Sequence, residues 1–505
     1  MRLAQLLVPL GVDPVPGAEK VEVKGLTCDS RQVQPGDLFV AIRGENVDAH
    51  RFVADAVARG AVAVVAEEPV PTPASVPVVV VPDSRWALSA LAATFYGHPS
   101  RRLRLVGVTG TNGKTTVSFL VMQLAARMGS PAGVIGTAGV MVGDEVVEPK
   151  SGYTTPEAHN LHRLLRRMVD RGVEVVAMEV SSHALEQDRV AHCRFVAAAF
   201  TNLTHEHLDY HRDMESYYRA KRQLFQQLEP GATAVINLDD PYGQRLAAEL
   251  PPGVRLVTYG LENPAAELQA RDVEITPEMG VRFRLVSPWG EWPVSAPGLF
   301  GVYNVSNALA ALGCGLALGL PLGSMAEAMA VVRPAPGRFQ RVDLGQDFTV
   351  VVDYAHTPDG FEKLLSSVQA VRRPGSRLIL VFGSAGLRDR TKRPEMGRVA
   401  GRYGDILVLT EEDPRTEDPR AIMDQIAAGV DNPRCTIYRI EDRLEAIETA
   451  IQLAQPGDMV LILGKGNETE LEVQHPTRWR GDVPAAEAAL LRRLASGRTA
   501  PAGHG

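Results

Sequence analysis

Residues 108–116 read Val108-Thr109-Gly110-Thr111-Asn112-Gly113-Lys114-Thr115-Thr116, between an apolar run at 103–108 and a helix-compatible pattern at 117–128. This order of strand, glycine-rich turn and helix predicts a phosphate-binding loop, because the two glycines let several backbone N–H groups point at one anion. Lys114 is expected to reach the outer phosphates, and the Thr115 hydroxyl is suited to Mg²⁺. The Gly-x4-Gly-Lys-[Ser/Thr] spacing requires glycine at 108, where this chain has valine, so the loop is a variant.

Length and composition indicate several globular domains that act on small molecules. The chain has 505 residues, which suggests about three domains, and its 45% hydrophobic and 22% charged content is that of a folded globular protein. The net charge of −7 argues against nucleic-acid binding and against binding to an anionic membrane. The four cysteines are far apart, so we expect a reducing compartment, and no signal peptide or membrane span is visible. These features predict a cytoplasmic protein.

Pattern breaks divide the chain into segments, with breaks at Gly97-His98-Pro99-Ser100 and at Arg333-Pro334-Ala335-Pro336-Gly337. The prediction is an α/β protein of three domains with a short tail. Residues 1–98 form a small α/β domain, and residues 99–332 form a central P-loop domain with a parallel sheet. Residues 333–496 form a doubly wound domain with right-handed crossovers, and residues 497–505 lack a pattern and are expected to be disordered.

Polar clusters follow two apolar strand candidates of the central segment. Glu179-Val180-Ser181-Ser182-His183 follows the run at 173–178, and a histidine-rich stretch at 201–211 follows the run at 196–200. Ligands bind at the carboxyl ends of strands in doubly wound sheets, so these clusters predict a metal–nucleotide site. His205-Glu206 begins a zinc-protease motif, but the fifth position is Asp209, which excludes it.

The third segment has strand candidates at 348–352, 378–382, 406–409, 435–438 and 459–463. Polar loops at residues 353–358, 383–392, 411–415 and 464–468 follow four of them and predict a second binding face. Two other residues have ordinary local interpretations. Lys221 lies on a helix-compatible stretch at 216–228 and by default is a solvated lysine, and Asn304 is best interpreted as a helix cap.

Six motifs in this order resemble the Mur ligases over nearly the whole chain: Thr109–Thr116, Glu179–His183, Thr201–Leu203, His207–His211, Asp353–Pro358 and Gly464–Gly466. The resemblance implies an N-terminal UDP-binding domain, a central ATPase and a C-terminal Rossmann-like domain that takes the incoming amino acid. It implies an ATP-dependent ligase that joins a diamino acid to the D-Glu side-chain carboxyl of UDP-N-acetylmuramoyl-L-alanyl-D-glutamate through an acyl phosphate, in peptidoglycan precursor synthesis. The expected form is a monomer without nucleic-acid partners or membrane insertion.

The resemblance also implies roles for residues of the ATP and metal site. Residues expected to bind ATP are Gly110, Thr111, Asn112, Gly113, Lys114, Thr115, Thr116, Asn304, Arg338, Asp353 and His356. Two Mg²⁺ ions are expected, held by Thr115, Glu179, His207 and Lys221, with Lys221 carrying a CO₂-derived carbamate that turns a cation into an anionic oxygen ligand. The implied catalytic residues are Lys114, Lys221, Glu179 and His207.

The resemblance also implies two groups of residues that bind the other two substrates. The nucleotide-sugar site is expected to include Ser30, Thr154, Thr155, Ser181, Gln187 and Arg189. The amino-acid site is expected to include Arg388, Asp413, Arg415, Gly464 and Glu468. The fork geometry of arginine makes Arg189, Arg388 and Arg415 suitable partners for carboxylate or phosphate oxygens.

The choice of diamino acid depends on two departures from the family pattern. Diaminopimelate-adding members usually read Asp-Asn-Pro-Arg where this chain has Glu412-Asp413-Pro414-Arg415, and usually have histidine where it has Asn467. Arg415 favours the second carboxylate of meso-diaminopimelate. An acid at 413 costs about 1 to 4 kcal/mol against a like charge near 4 Å and favours the ammonium end of lysine or ornithine. The prediction is meso-diaminopimelate, with L-lysine and L-ornithine left open.

Three other functions are alternatives to a Mur-type ligase. A folylpolyglutamate synthase shares the loop variant and the lysine carbamate but lacks the Asp29-Ser30-Arg31 domain and the 412–415 motif. A non-catalytic scaffold that binds cell-wall precursors needs no magnesium site, so the presence of Lys114, Glu179, His207 and Lys221 argues against it. A nucleic-acid-dependent ATPase is supported only by the cluster Arg101, Arg102 and Arg104, which is more simply a solvated linker edge.

Overall fold

A computed structural model describes residues 1–13, 15–44, 47–148, 153–204 and 208–498. These residues form three β-sheets with helices packed on them, so the predicted α/β class is confirmed. His207 lies outside the described residues. The predicted domain boundaries fall between the sheets and remain predictions. Within the described ranges, no helix is long and apolar enough to cross a bilayer.

The first sheet is small and entirely parallel, in the order β1-β2-β3-β4. Its strands are β1 (Gly25–Thr27), β2 (Asp37–Val40), β3 (Ala63–Ala66) and β4 (Val78–Val80). Its helices are α1 (Leu3–Leu6), α2 (Val53–Ala58) and α3 (Ser84–Phe95). Asp83 caps α3 by accepting hydrogen bonds from the N–H groups of Arg85 and Trp86, which fixes where the helix begins.

The central sheet has eleven strands in the order β15-β14-β13-β12-β11-β10-β5-β9-β6-β7-β8. They are β5 (Arg104–Thr109), β6 (Ala132–Gly136), β7 (Gly139–Val142), β8 (Glu145–Glu148), β9 (Val175–Glu179), β10 (Ala197–Phe200), β11 (Thr233–Asn237), β12 (Arg255–Gly260), β13 (Leu268–Ile275), β14 (Val281–Ser287) and β15 (Gly290–Ala296). The seven strands in the middle of the sheet run parallel to one another: β5, β6 and β9 to β13. Both edges are antiparallel hairpins, so the predicted parallel sheet describes only the centre.

Helices of the central unit are α4 (Lys114–Arg127), α5 (Ala158–Asp170), α6 (Ser182–Glu186), α7 (Leu208–His211), α8 (Met214–Gln226), α9 (Pro241–Ala248), α10 (Val302–Ala317) and α11 (Leu322–Ala328). Helices α4 and α10 share one buried core with the central strands. The carboxyl ends of β5, β9 and β10 therefore lie side by side beside the start of α4, which is where the phosphate-binding loop lies.

The third sheet has the order β16-β17-β21-β18-β19-β20, and every pair except β16–β17 is parallel. Its strands are β16 (Gln340–Arg341), β17 (Thr349–Asp353), β18 (Leu378–Phe382), β19 (Ile406–Leu409), β20 (Thr436–Arg439) and β21 (Met459–Leu463). Its helices are α12 (Pro358–Val371), α13 (Lys392–Tyr403), α14 (Pro419–Ala427), α15 (Arg443–Leu453) and α16 (Asp482–Arg498). Since α16 extends to Arg498, the predicted tail from residue 497 begins two residues too early; residues 499–505 lie outside the described range.

Candidate active site

The phosphate-binding loop joins the end of β5 to the first residue of α4. Gly110 has φ 146° and Gly113 has φ 89°, in the region that favours glycine. A Cβ at Gly110 would overlap the Thr201 hydroxyl, and a Cβ at Gly113 would overlap the Asn307 side chain. Both glycines are therefore required by backbone conformation and by close packing, as the loop prediction expected.

Lys114 folds back over this loop. Its Nζ donates hydrogen bonds to the carbonyl oxygens of Gly110 and Thr111, at 2.9 and 2.8 Å. The charge therefore lies beside the loop and the N-terminus of α4, and the helix dipole and the ammonium both favour an anion there.

Glu179 ends β9 and is 1% exposed. Its carboxylate accepts hydrogen bonds from the Thr115 hydroxyl at 2.9 Å, the Thr137 N–H at 2.8 Å and the Thr137 hydroxyl at 3.1 Å. The strand order makes this contact possible, because β9 is the neighbour of β5 in the sheet. The structure thus brings together two of the predicted metal ligands, Thr115 and Glu179.

Lys221 is 1% exposed on α8, so its default interpretation as a solvated lysine was wrong. Its Nζ donates a hydrogen bond to the Gly110 carbonyl at 2.9 Å and lies 4.5 Å from the centre of the Tyr217 ring. A helical pattern cannot reveal this position, because the burial is caused by the P-loop, 111 residues earlier in the chain. Lys114 and Lys221 therefore share the Gly110 carbonyl.

The donor set fits the predicted Mg²⁺ chemistry. Thr115 supplies a hydroxyl and Glu179 a buried carboxylate, and oxygen donors are those that Mg²⁺ prefers. Such an ion usually completes its shell with phosphate oxygens and water. Over the described ranges, no group of three or more His, Cys, Asp or Glu side chains forms a metal cluster by itself.

Arg338, which follows the central unit, reaches back to the phosphate-binding loop. Its guanidinium donates a hydrogen bond to the Thr115 hydroxyl at 3.1 Å and lies 4.4 Å from the centre of the Tyr354 ring. A second contact also joins the loop to the third unit, where the Asn112 amide donates to Asp359 at 3.0 Å. Both contacts place the third sheet next to the predicted ATP site.

The other residues predicted for ATP have mainly structural partners in this state. Asp353 accepts hydrogen bonds from the N–H groups of Phe339 and Ala355, at 2.7 and 2.8 Å, and burial raises the pKa of its carboxyl. His356 Nδ1 lies 2.9 Å from the Tyr354 carbonyl. Asn304 lies inside α10 and its amide donates to the Phe300 carbonyl, whereas Gly301 occupies the N-cap position, so the capping interpretation was wrong.

Most residues predicted for the nucleotide sugar cluster around the end of β9. The Thr155 hydroxyl donates to the Glu179 carbonyl and accepts from the Ser181 N–H, at 2.9 and 3.0 Å. Arg189 is 5% exposed and donates to the Thr155 carbonyl at 2.8 Å and to Gln187 Oε1 at 2.6 Å. The Thr154 hydroxyl lies 3.3 Å from that of Thr137, which is bonded to Glu179.

Ser30 lies apart from this cluster, in a cavity of about 930 Å³ in the N-terminal unit. Asp29 and Arg31 also line it, and they form an ion pair at 2.9 Å. Glu157 lines the same cavity and pairs with Arg189 at 2.8 Å. Arg189 therefore connects the cavity to the cluster at the end of β9.

The residues predicted for the amino acid all line one cleft of about 810 Å³: Arg388, Asp413, Arg415, Gly464 and Glu468. Thr137 and Thr154 of the central unit line it as well, so the cleft begins beside the predicted metal ligand Glu179 and ends in the third unit. Glu412, Lys392 and Lys465 also line it; they belong to the polar loops predicted to form a second binding face but were not assigned individually to the amino acid. Glu412 is 6% exposed, its Oε2 has no hydrogen-bond partner among the described residues, and burial raises its pKa.

The Asp413 carboxylate is paired with a buried cation that it shares with Glu468. Lys465 Nζ lies 2.9 and 2.8 Å from its two oxygens, and the Glu472 N–H donates to it at 2.9 Å. The predicted cost of an acid at 413 took no account of this cation, and the choice of amino acid stays a prediction. The sequence around Asp413 does not reveal this ion pair, because 52 residues separate Asp413 from Lys465.

The two arginine-bearing loops of the cleft are joined to each other. Arg415 donates to the Gly386 carbonyl at 2.6 Å and pairs with Glu472 at 2.7 Å, and the Gly386 N–H donates to the Asp413 carbonyl at 3.0 Å. Asp413 and Arg415 have φ 45° and 57°, a left-handed conformation that costs about 1 kcal/mol or more for a residue with a Cβ. This backbone persists because the surrounding contacts fix it.

Arg393, fully buried in α13, supports these loops from behind. It pairs with Glu417 at 3.0 Å, while Glu417 also accepts from the Leu387 N–H. The hydrogen bonds from Arg393 lower the Glu417 pKa to about 2. Because this folded-state pKa lies below the ordinary 4.5, the pair stabilises the fold fully above that value, and the contribution is lost as the pH falls toward about 2.

Glu417→Gln is therefore expected to lower the free energy of unfolding by about 3 kcal/mol near neutral pH, because it leaves Arg393 buried without its counter-charge. The difference from the wild type should shrink at about pH 3, where the wild-type carboxylate loses its advantage. Urea denaturation of the full chain at both pH values measures this. Glu487→Gln, at an exposed acid on α16, is the control and should change stability by less than about 0.5 kcal/mol. A pH-independent loss for Glu417→Gln would contradict the account.

The fold and site define a P-loop nucleotide-binding protein with a second cleft in a doubly wound unit. Three family profiles match the chain: the Mur ligase family catalytic domain at residues 22–96, the Mur ligase middle domain at 108–315 and the Mur ligase glutamate ligase domain at 337–466. The chain belongs to the Mur ligase family, as the sequence motifs predicted.

Similar proteins cover nearly all of the chain. The UDP-N-acetylmuramoyl-L-alanyl-D-glutamate–2,6-diaminopimelate ligase of Geobacillus thermodenitrificans is 47% identical over 94% of this chain and 96% of its own. The protein of that name from Geobacter metallireducens is 42% identical over 98% of this chain and 99% of its own. A solved structure of a ligase with the same name is 33% identical, covers 97% of this chain and 99% of its own, and superimposes with a TM-score of 0.68.

Proposed function

We propose that the chain is an ATP-dependent ligase that adds meso-2,6-diaminopimelate to UDP-N-acetylmuramoyl-L-alanyl-D-glutamate in peptidoglycan precursor synthesis. One observation carries the proposal: a single cleft extends from Thr137, which bonds the buried Glu179 of the phosphate-binding site, to the two arginines at 388 and 415. Such a cleft places an amino acid within reach of a group activated by ATP. The names of the relatives support the choice of substrates.

The nucleotide sugar is proposed to bind with its uridine in the N-terminal cavity and its peptide toward the end of β9. The cavity holds Ser30, and Arg189 connects it to Thr155 and Ser181. A chain of polar groups therefore leads from the cavity to the phosphate-binding loop. Arg189, which is buried and already oriented by its partners, suits recognition of an anionic peptide.

The reaction is proposed to proceed in two transfers. The D-Glu carboxylate oxygen attacks the γ-phosphorus, the bond from phosphorus to the bridging β–γ oxygen breaks, and ADP leaves. The amine then attacks the acyl carbon, the carbon–oxygen bond breaks, phosphate leaves with the former carboxylate oxygen, and the amine releases a proton. The first transfer brings two anions together, so preorganised N–H groups and the Lys114 ammonium stabilise its transition state.

Thr115, Glu179 and Lys221 are proposed to hold the two Mg²⁺ ions, with Lys221 as a carbamate. Bound Mg²⁺ neutralises charge on the phosphate oxygens. Arg338 holds the Thr115 hydroxyl from the third unit, and Tyr217 forms one wall of the Lys221 environment. His207 is proposed as a further ligand on the family resemblance alone.

The protein is further proposed to act as a monomer in the cytoplasm. Its four cysteines are free thiols, which fits a reducing compartment. Light scattering of the purified chain tests the monomer.

Phosphate release tests the proposed function. The purified chain is given ATP, Mg²⁺ and UDP-N-acetylmuramoyl-L-alanyl-D-glutamate, with meso-diaminopimelate, L-lysine or L-ornithine. We expect the highest kcat/KM with meso-diaminopimelate and a product of the matching mass. A higher kcat/KM with lysine or ornithine would refute the choice of amino acid, and no release with any of them would refute the ligase.

A further inference from the structure

The amino-acid cleft contains more acids than bases. Its acidic residues are Asp359, Asp389, Glu395, Glu412, Asp413, Glu468, Glu470 and Glu472, and its basic residues are Arg388, Lys392, Arg415 and Lys465. Lysine carries one net positive charge at neutral pH, whereas diaminopimelate carries none because it has a second carboxylate. A cleft whose acids are not paired with cations therefore favours lysine over diaminopimelate.

Lys465 is the buried cation of this cleft. It is 2% exposed, and its ammonium lies between Asp413, at 2.8 and 2.9 Å, and Glu468, at 2.5 Å. Hydrogen bonds to both oxygens of Asp413 fix the pair in one geometry. The Lys465 side chain is 2% exposed and that of Asp413 is 17% exposed, so water screens the pair only weakly. Removal of Lys465 would therefore leave the Asp413 carboxylate in the cleft without its cation.

Asp413 belongs to the loop that carries Arg415, whose guanidinium pairs with Glu472. It lies two residues before Arg415, and its carbonyl accepts from Gly386 in the loop that carries Arg388. Glu468 belongs to the loop after β21, where it accepts a hydrogen bond from the Tyr354 hydroxyl at 3.2 Å. A second carboxylate bound by the arginines would therefore lie in the same cleft as the Asp413 carboxylate, which Lys465 holds.

We infer that Lys465 is a specificity-determining residue that lets the cleft accept an amino acid with a second carboxylate by neutralising Asp413. The inference rests on the proposed function and deepens it, because it assigns the selectivity to an ion pair and not to the arginines alone. It also explains how an acid at 413 is compatible with diaminopimelate.

The test compares kcat/KM for meso-diaminopimelate and for L-lysine in the full-length protein and three variants, Lys465→Met, Asp413→Asn and the double variant. In Lys465→Met, the ratio of diaminopimelate to lysine is expected to fall about tenfold or more, mainly through KM for diaminopimelate. In Asp413→Asn the ratio should stay at or above that of the wild type. In the double variant it should return to within about threefold of Asp413→Asn, because the charge to be neutralised is gone.

An equal loss for both amino acids in Lys465→Met would overturn the inference. A double variant with a ratio as low as that of Lys465→Met would overturn it too, because Lys465 would then act on the substrate directly. If Lys465→Met does not fold, the double variant and Asp413→Asn decide alone: equal ratios support the inference and a tenfold lower ratio in the double variant refutes it. Failure of the proposed function can be distinguished from failure of this inference, because the wild type would then release no phosphate with either amino acid.

Discussion

Lys114→Ala is expected to lower kcat by about 10³-fold or more, with little change in thermal stability. The ammonium lies on the phosphate-binding loop, within 2.9 Å of two carbonyls, where negative charge increases as the D-Glu carboxylate approaches the γ-phosphate. A loss of 10³ corresponds to about 4 kcal/mol of transition-state stabilisation, within the range of a preorganised charge in a dry site. Steady-state phosphate release measures kcat, and calorimetry measures the Tm.

The matched control for Lys114→Ala is Lys20→Ala, since Lys20 is an exposed lysine of the N-terminal unit. It should retain kcat within about twofold. If Lys114→Ala kept more than a tenth of wild-type kcat at an unchanged Tm, the loop would not be the site of phosphoryl transfer, and the role assigned to Lys114 would be wrong.

Lys221→Met is expected to lower kcat by about 10²- to 10³-fold, because it removes the group proposed to supply an anionic oxygen at the phosphate-binding loop. Methionine has a similar length and no charge, so it can occupy the buried position against Tyr217 without a cavity. Phosphate release with saturating ATP and Mg²⁺ measures the loss. Lys20→Met is the matched control for the effect of losing a lysine.

A spectroscopic signature separates a carbamate from a purely structural lysine. Wild-type protein equilibrated with ¹³C-labelled bicarbonate should show a carbamate carbon resonance that is absent from Lys221→Met. A wild type with full activity and no such resonance would show that Lys221 acts without the modification. A resonance that persists in the variant would assign the carbamate to another lysine.

The elements that the sequence predicted best are buried strands with continuous apolar runs. The strand candidates at 378–382 and 459–463 match β18 and β21 at both ends, because every residue in them is buried and each run stops at a polar loop. The central sheet was predicted less completely, since its antiparallel edges come from hairpins that alternate buried and exposed residues. In β14, for example, the side chains from Val281 to Leu285 alternate in this way.

Side-chain roles were predictable where a motif fixes the local backbone, and not where the partner is distant. Gly110, Gly113 and Lys114 follow from the loop itself. Lys221 was misjudged from local pattern because its environment comes from Gly110, which is far away in the chain. The pairing of Asp413 with Lys465 was not predicted for the same reason. Ion pairs between separate strand ends have no signal in a single sequence.

Activation of the D-Glu carboxyl by ATP can be followed through the oxygen atoms of that carboxyl. The nucleotide-sugar dipeptide is labelled with ¹⁸O in the D-Glu side-chain carboxyl, and the phosphate released with meso-diaminopimelate is analysed by mass spectrometry. Because the attacking carboxylate oxygen leaves with the phosphorus, we expect one labelled oxygen in the phosphate from each turnover of doubly labelled carboxyl. Unlabelled phosphate, released together with amide product, would contradict it.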